Sequence, residues 1–200
     1  MEITADMVKK LRIRTNAGMM DCKKALEESE GNFEKAMDYL RKKGLATAMK
    51  RAGRATTEGL IHSYIHPGAK LGVLVEVNCE TDFVARSEKF HQFVNDIAMQ
   101  IAASAPLSIK REDLAPEQVD REREIYRQQA LESGKPEKVI DKIIEGKMNK
   151  FYSEVCLIEQ PFVKDSDKSV ADILNEAIGA IGENINIRRF VRYKLGEGSD

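Results

Sequence analysis

Cysteine is scarce in this chain: three in 200 residues, Cys22, Cys79 and Cys156, each far from the others. Such spacing builds neither a disulfide framework nor a metal knuckle. The expectation is three buried, reduced thiols of the kind cytosolic proteins keep. Long apolar runs are missing too. The longest are a few residues, which leaves no stretch able to cross a membrane as a helix. The opening "MEITADMVKKLRIR" has no apolar core ahead of a cleavage site. An export leader is therefore not expected, and a cytoplasmic location is. Nor is there an excess of one charge. With 32 Lys and Arg against 33 Asp and Glu, the formal net charge is −1. Direct binding to nucleic acid is not expected, because phosphate recognition needs a basic surplus.

The marks of an enzyme are absent as well. No G-x-x-x-x-G-K-[ST] run occurs to cradle phosphates. "GRATTEG" has glycines without a suitably placed Lys, and "GAIGEN" follows a helical pattern instead of opening one. No Ser, Cys or Thr sits in a nucleophile elbow. His62 and His66 stand four apart in "HSYIH", a spacing that would serve one metal on a helix. On a strand it separates them by about 13 Å, too far for one ion. His91 falls on the polar side of a helix, and Cys79 on an apolar strand face. No catalytic residue, cofactor or metal site is expected, and the chain is not expected to be an enzyme.

What is present is a mixed pattern of helix and strand periods. Thr4 is placed to cap a first helix with Met7, Val8 and Leu11 on one side. "TNAGMMD" interrupts it with Asn16 and Gly18, and a second helix carries Cys22, Ala25 and Leu26. "SEGN" stops that helix at Gly31, and Asn32 caps a third with Phe33, Ala36, Met37 and Leu40 at helical spacing before Gly44. Three short helices of this kind resemble a ubiquitin-associated fold. Residues 46–58, small, polar and basic, read as a linker that is partly helical at most.

The period then becomes two. "LIHSYIH" and "LGVLVEVNC" flank "PGAK" and predict a hairpin, with Leu71, Val73, Val75, Val77 and Cys79 on one face and Leu74 on the other. Ser87 caps a helix whose stripe is Phe90, Phe93, Val94, Ile97 and Ile101, ended by Pro106. Residues 113–152 are charged and helical, and "SGKP", Ser133 to Pro136, divides them into two helices. Ile125, Ala130 and Leu131 supply the apolar positions of the first, and Val139, Ile143, Met148 and Phe151 those of the second. The pair reads as a projecting hairpin or a loosely packed layer. Ser169 caps a last helix, Gly182 ends it, and "INIRRFVRYKL" is a strand that completes a three-stranded sheet. The fold class is α+β. The predicted divisions are a helical module over residues 1–45, a linker over 46–58 and an α/β core over 59–200.

Two places look wrong for a surface. Met19 and Met20 are adjacent on a helix start and cannot both face one core, unless both flexible chains curl inward. In "CETDFVARSEKF", Asp82 and Phe83 stand where a strand should turn. There Phe83 is either tucked under the loop or held out.

"LRIRTNAGMMDCKKALEE", "VEVNCETDFVARSEKF" and "EGKMNKFYSEVCLIEQPFVKD" closely resemble the bacterial elongation factor Ts family, in order and spacing, from about residue 4 to Gly198. The resemblance implies a guanine nucleotide exchange factor whose partner is elongation factor Tu. By that likeness Thr81, Asp82, Phe83 and Val84 form the segment that reaches the partner's GTPase domain. Phe83 would be a wedge that dislodges the nucleotide's Mg²⁺, Asp82 a polar contact beside it, and Thr81 and Val84 the shape of the loop. Arg12, Met19 and Met20 would make the second contact with the same domain. Many members are longer, with two related core halves. Only one half is present here, and short members compensate by dimerising, so a homodimer is expected, with a contact to the partner's distal domain. The rival readings are a ubiquitin-associated-like interaction module without exchange activity, and a hydrolase or metalloenzyme built on His62, His66 or Cys79.

Overall fold

The computed structural model describes residues 3–15, 17–132 and 136–198. Two compact units result. The first comprises Met1–His62, Glu76–Asn95 and Asp172–Arg188, and the second Ser63–Val75, Asp96–Ala171 and Arg189–Asp200.

The first unit begins with three helices, α1 (Ala5–Thr15), α2 (Met19–Glu28) and α3 (Phe33–Arg51). The predicted N-terminal caps of α1 and α3 form. The Thr4 hydroxyl accepts from Met7 N at 3.3 Å, and Asn32 Oδ1 from Lys35 N at 3.1 Å. Asn16, one of the two predicted breakers between α1 and α2, lies outside the described residues. Val8, Leu11, Cys22, Ala25, Leu26 and Ala36 are the buried core, with Phe33, Met37 and Leu40 packed on it. Helix α3 does not stop before Gly44. It continues to Arg51 because Gly44 is a contact, not a terminator. A Cβ on Gly179 would lie 3.1 Å from Gly44 Cα, and one on Gly44 would lie 3.5 Å from the Asn175 carbonyl. The first approach is tighter than nearly all real Cβ contacts, and the second is an ordinary van der Waals one. Beside this crossing, Arg41 donates to Asp172 at 2.8 Å.

The sheet has three antiparallel strands in the order β1–β2–β5: β1 (Glu58–Ile65), β2 (Leu71–Cys79) and β5 (Ile185–Lys194). Along β2, Val73, Val75, Val77 and Cys79 are buried while Leu74 is exposed, the alternation of a half-covered sheet. Between the second and third strands run a one-turn helix α4 (Asp82–Ala85) and the long α5 (Glu88–Ser104). The Ser87 hydroxyl caps α5 by accepting from Phe90 N at 3.3 Å. Phe90, Phe93, Val94, Ile97 and Ile101 are all buried, and each contributes about 1.5–3 kcal/mol of burial. In the first unit His62 Nε2 lies 3.3 Å from Asn95 Oδ1, which ties β1 to α5. In the second, Arg192 Nε donates to the Ala102 carbonyl at 3.3 Å, tying β5 to the end of the same helix.

Helices α6 (Pro116–Glu132) and α7 (Glu137–Val155) pack on each other and hold their own core. Ser133, Gly134 and Lys135 of the predicted break lie outside the described residues, and Pro136 stands at the start of α7. Ala130 is buried as expected, but Ile125 and Leu131 are exposed. In α7 the inward residues are Ile140, Ile144, Met148 and Phe151, so Val139 and Ile143 are not the centre of the stripe. A small hairpin, β3 (Pro161–Phe162) with β4 (Asp165–Ser169), precedes α8 (Val170–Ile181). Gly182, at φ +85°, ends α8, and its N–H reaches the Ile178 carbonyl at 2.9 Å. No helix among the described residues is long and apolar enough to cross a membrane.

Candidate protein-binding site

The segment after β2 answers the question raised by Phe83. Thr81 begins α4, and its hydroxyl accepts from Val84 N at 3.4 Å. One helical turn follows, and it buries Val84 and Ala85. A residue just before them on so short a helix must face away, and Phe83 is 82% exposed. Asp82 is exposed next to it and pairs with Arg86 at 3.0 Å, a surface pair worth little on its own.

The turn is held from behind by residues that spacing and period do not reveal. Glu183 follows Gly182 in the bend between α8 and β5. Its Oε2 accepts from Glu80 N at 3.1 Å and Thr81 N at 3.0 Å, and its Oε1 from the Thr81 hydroxyl at 2.7 Å. The exchange is reciprocal. Glu80 Oε1 accepts from Asn184 N at 2.6 Å. Its carboxylate also takes Arg54 at 3.2 Å and Arg51 at 3.4 Å. The Asn184 N–H foremost, with Arg54 and Arg51, holds the Glu80 carboxyl below its usual range, although burial opposes them. Cys79 Sγ donates to the Thr81 carbonyl at 3.2 Å. Burial, then the Glu183 charge, pushes this thiol up to about 11, so it stays protonated and is no nucleophile at neutral pH.

The second group lies on the three-helix part of the same unit. Both methionines of the pair are exposed, Met20 at 76%. Arg12 and Met19 line a depression of about 530 Å³ with Ala5, Lys9 and Ile13. Ile13 was not singled out by pattern. It sits off the stripe that buries Val8 and Leu11, and an apolar residue off its helix stripe is the signal that could have found it. Exposed apolar side chains gathered in this way mark interaction surfaces.

His66 Nδ1 lies 3.0 Å from the Tyr64 hydroxyl, and His62 Nε2 lies near Asn95 Oδ1. All three cysteines are buried and free. Burial raises the Cys156 thiol too.

A family model described as Elongation factor TS matches residues 2–197. The chain is 65% identical over 198 residues to the elongation factor Ts of Geobacter metallireducens, which spans 99% of this chain and 92% of that one. It is 61% identical over 196 residues to that of Moorella thermoacetica, 98% and 97% of the two lengths. With that of Desulforamulus reducens it shares 59% over 197 residues, 98% and 91% of the two. A match of this extent along both lengths means that the chain belongs to the elongation factor Ts family.

Proposed function

We propose that this chain is a guanine nucleotide exchange factor that binds elongation factor Tu in its GDP form in the cytoplasm and promotes GDP release. Family membership supports a place in translation elongation. The observation that carries the finer reading is Phe83: a large aromatic, 82% exposed, on a turn held by four backbone and side-chain bonds. Among the described residues, the core leaves that side chain out. Phe83 enters between helices of the partner's GTPase domain, with Asp82 beside it and Thr81 and Val84 shaping the turn. Arg12, Met19 and Met20 grip the same domain from the helical part.

The chain works by binding and makes or breaks no bond. Mg²⁺ is among the largest charges in a nucleotide site, so shifting the backbone that supports it loosens the phosphate contacts. The coupling is reciprocal: the chain weakens GDP by the factor by which GDP weakens the chain. A single buried Phe supplies about 1.5–3 kcal/mol, so the wedge needs the second contact to hold it in place. The test is release of a fluorescent GDP from elongation factor Tu. The chain is expected to accelerate it by about 5–150-fold. Capture of the partner without acceleration would instead leave an interaction module.

The open face of the sheet supports a homodimer. Ile65, Leu74, Val191, Tyr193 and Leu195 are exposed there. Ile65, Leu74, Tyr193 and Leu195 line one depression. A twofold pairing of the core sheets covers this face, and the second copy supplies the contact with the partner's distal domain. Sedimentation equilibrium is expected to give twice the 22.5 kDa of one chain, and Leu74→Glu the single mass. A wild-type chain that runs as a monomer at micromolar loading rules the dimer out.

A further inference from the structure

We infer that Glu183 and Glu80 form a clasp that positions the wedge, and that Glu183 is its main member. This deepens the exchange reading above and rests on it. A one-turn helix has no stability of its own, since nucleation costs more than its few bonds return. Phe83, 82% exposed, lies outside the core formed by the described residues. The attitude of α4 is therefore set by its two anchorages: burial of Val84 and Ala85, and the bonds at Glu80 and Thr81. One carboxylate, that of Glu183, satisfies three donors at the start of the turn. The Thr81 hydroxyl uses its proton on Glu183 and its lone pair on Val84 N, so it is oriented from both sides.

The clasp also reaches the other contact surface. Arg51 is the last residue of α3, and Arg54 lies three beyond it. Both hold Glu80, whose backbone N–H is held in turn by Glu183. Asn184 Nδ2 closes the loop by donating to the Arg54 carbonyl at 2.9 Å. The helix that belongs to the Met19–Met20 module thus ends in the same network that anchors the Phe83 turn. Glu183 is a positioning residue: it touches neither the partner nor the nucleotide in this reading, and acts through Phe83.

The test combines two readouts on Glu183→Ala and on the isosteric Glu183→Gln. The first is amide hydrogen exchange in the free protein. Exchange at residues 81–84 is expected to rise by about tenfold or more in the Ala variant and less in the Gln variant, while Phe93–Ile101 stay protected. The second is stimulated GDP release from elongation factor Tu, measured with Glu183→Ala alone, Phe83→Ala alone and the two combined. Glu183→Ala is expected to lose roughly tenfold alone and less than about twofold in the Phe83→Ala background. Equal losses in both backgrounds would overturn the positioning role, because a general structural defect multiplies with any other. Unchanged exchange at residues 81–84 would overturn the clasp. A wild-type chain that leaves GDP release unchanged overturns the exchange reading and the role given to the clasp within it. The amide protection, read without the partner, distinguishes that failure from a failed clasp.

Discussion

Phe83→Ala is expected to fold like the parent and to lose at least about tenfold of its acceleration of GDP release. The two halves of this result come from one fact. With 82% of the side chain in water, its truncation leaves no cavity in the free protein, and stability should change by less than about 0.5 kcal/mol. In the proposed function the same side chain is buried between partner helices, where it is worth about 1.5–3 kcal/mol, which corresponds to roughly ten- to a hundredfold in an equilibrium or rate. Because Arg12, Met19 and Met20 remain, binding to nucleotide-free partner should weaken less than exchange does. A thermal melt and a fluorescent GDP release trace on the same preparation decide it. A large drop in melting temperature with unchanged release would mean that Phe83 belongs to the core.

Among the described glycines, Gly59 is the one whose change to Ala is expected to destabilise the chain most. Gly59 lies in β1 at φ +145°, a conformation that L residues rarely adopt. The added Cβ would also meet the Val77 carbonyl oxygen and lie 2.7 Å from Asn78 Cα. Both obstacles are backbone atoms of the neighbouring strand, so no rotamer change relieves them. A loss of about 3 kcal/mol or more follows, and with it a fall in Tm of roughly 6–12 °C for a chain of this size. Gly53→Ala is the control: nothing lies within 4 Å of its Cβ position, and its melt should match the parent's. A Gly59→Ala protein that melts with the parent would show that strand β1 can shift at no cost.

Helices α1, α2 and α5, the start of α3, the alternation of β2 and the hairpin were legible because each is written in neighbouring residues, whereas the run of α3 past Gly44 to Arg51 was not. Caps at Thr4, Asn32 and Ser87 are three-residue signals, and the α5 stripe repeats over several turns. Helix α7 was harder. Its apolar residues come in adjacent pairs, Val139–Ile140 and Ile143–Ile144, so two stripes fit equally and tertiary packing chose between them. Gln100 shows another limit. It lies in the middle of the α5 stripe, fully buried, and donates to the Gln160 side chain at 3.1 Å and accepts from Val163 N at 2.8 Å. A polar letter there reads as solvent-facing until the partners from the β3 region are in place. At the candidate site, the family resemblance pointed to Thr81–Val84, Arg12, Met19 and Met20. The physics of the letters left Phe83 open, because a one-turn helix has no period to read. Glu183 was invisible for a different reason: it meets Thr81 across 102 positions of chain.

The crossing of α3 and α8 at Gly44 and Gly179 has a consequence for how tightly a partner can be held. Two elements in backbone contact cannot rock about one another as two elements separated by long side chains can. In the proposed function, the part of the chain that carries Met19 and Met20 and the part that carries Phe83 therefore arrive at the partner with their separation already chosen, like the jaws of a locked caliper. In that reading, the ordering that a hinged molecule would undergo on binding is completed in folding. A partner is recognised, in that reading, by its own span: a conformation whose two receiving surfaces match the gap engages both jaws at once.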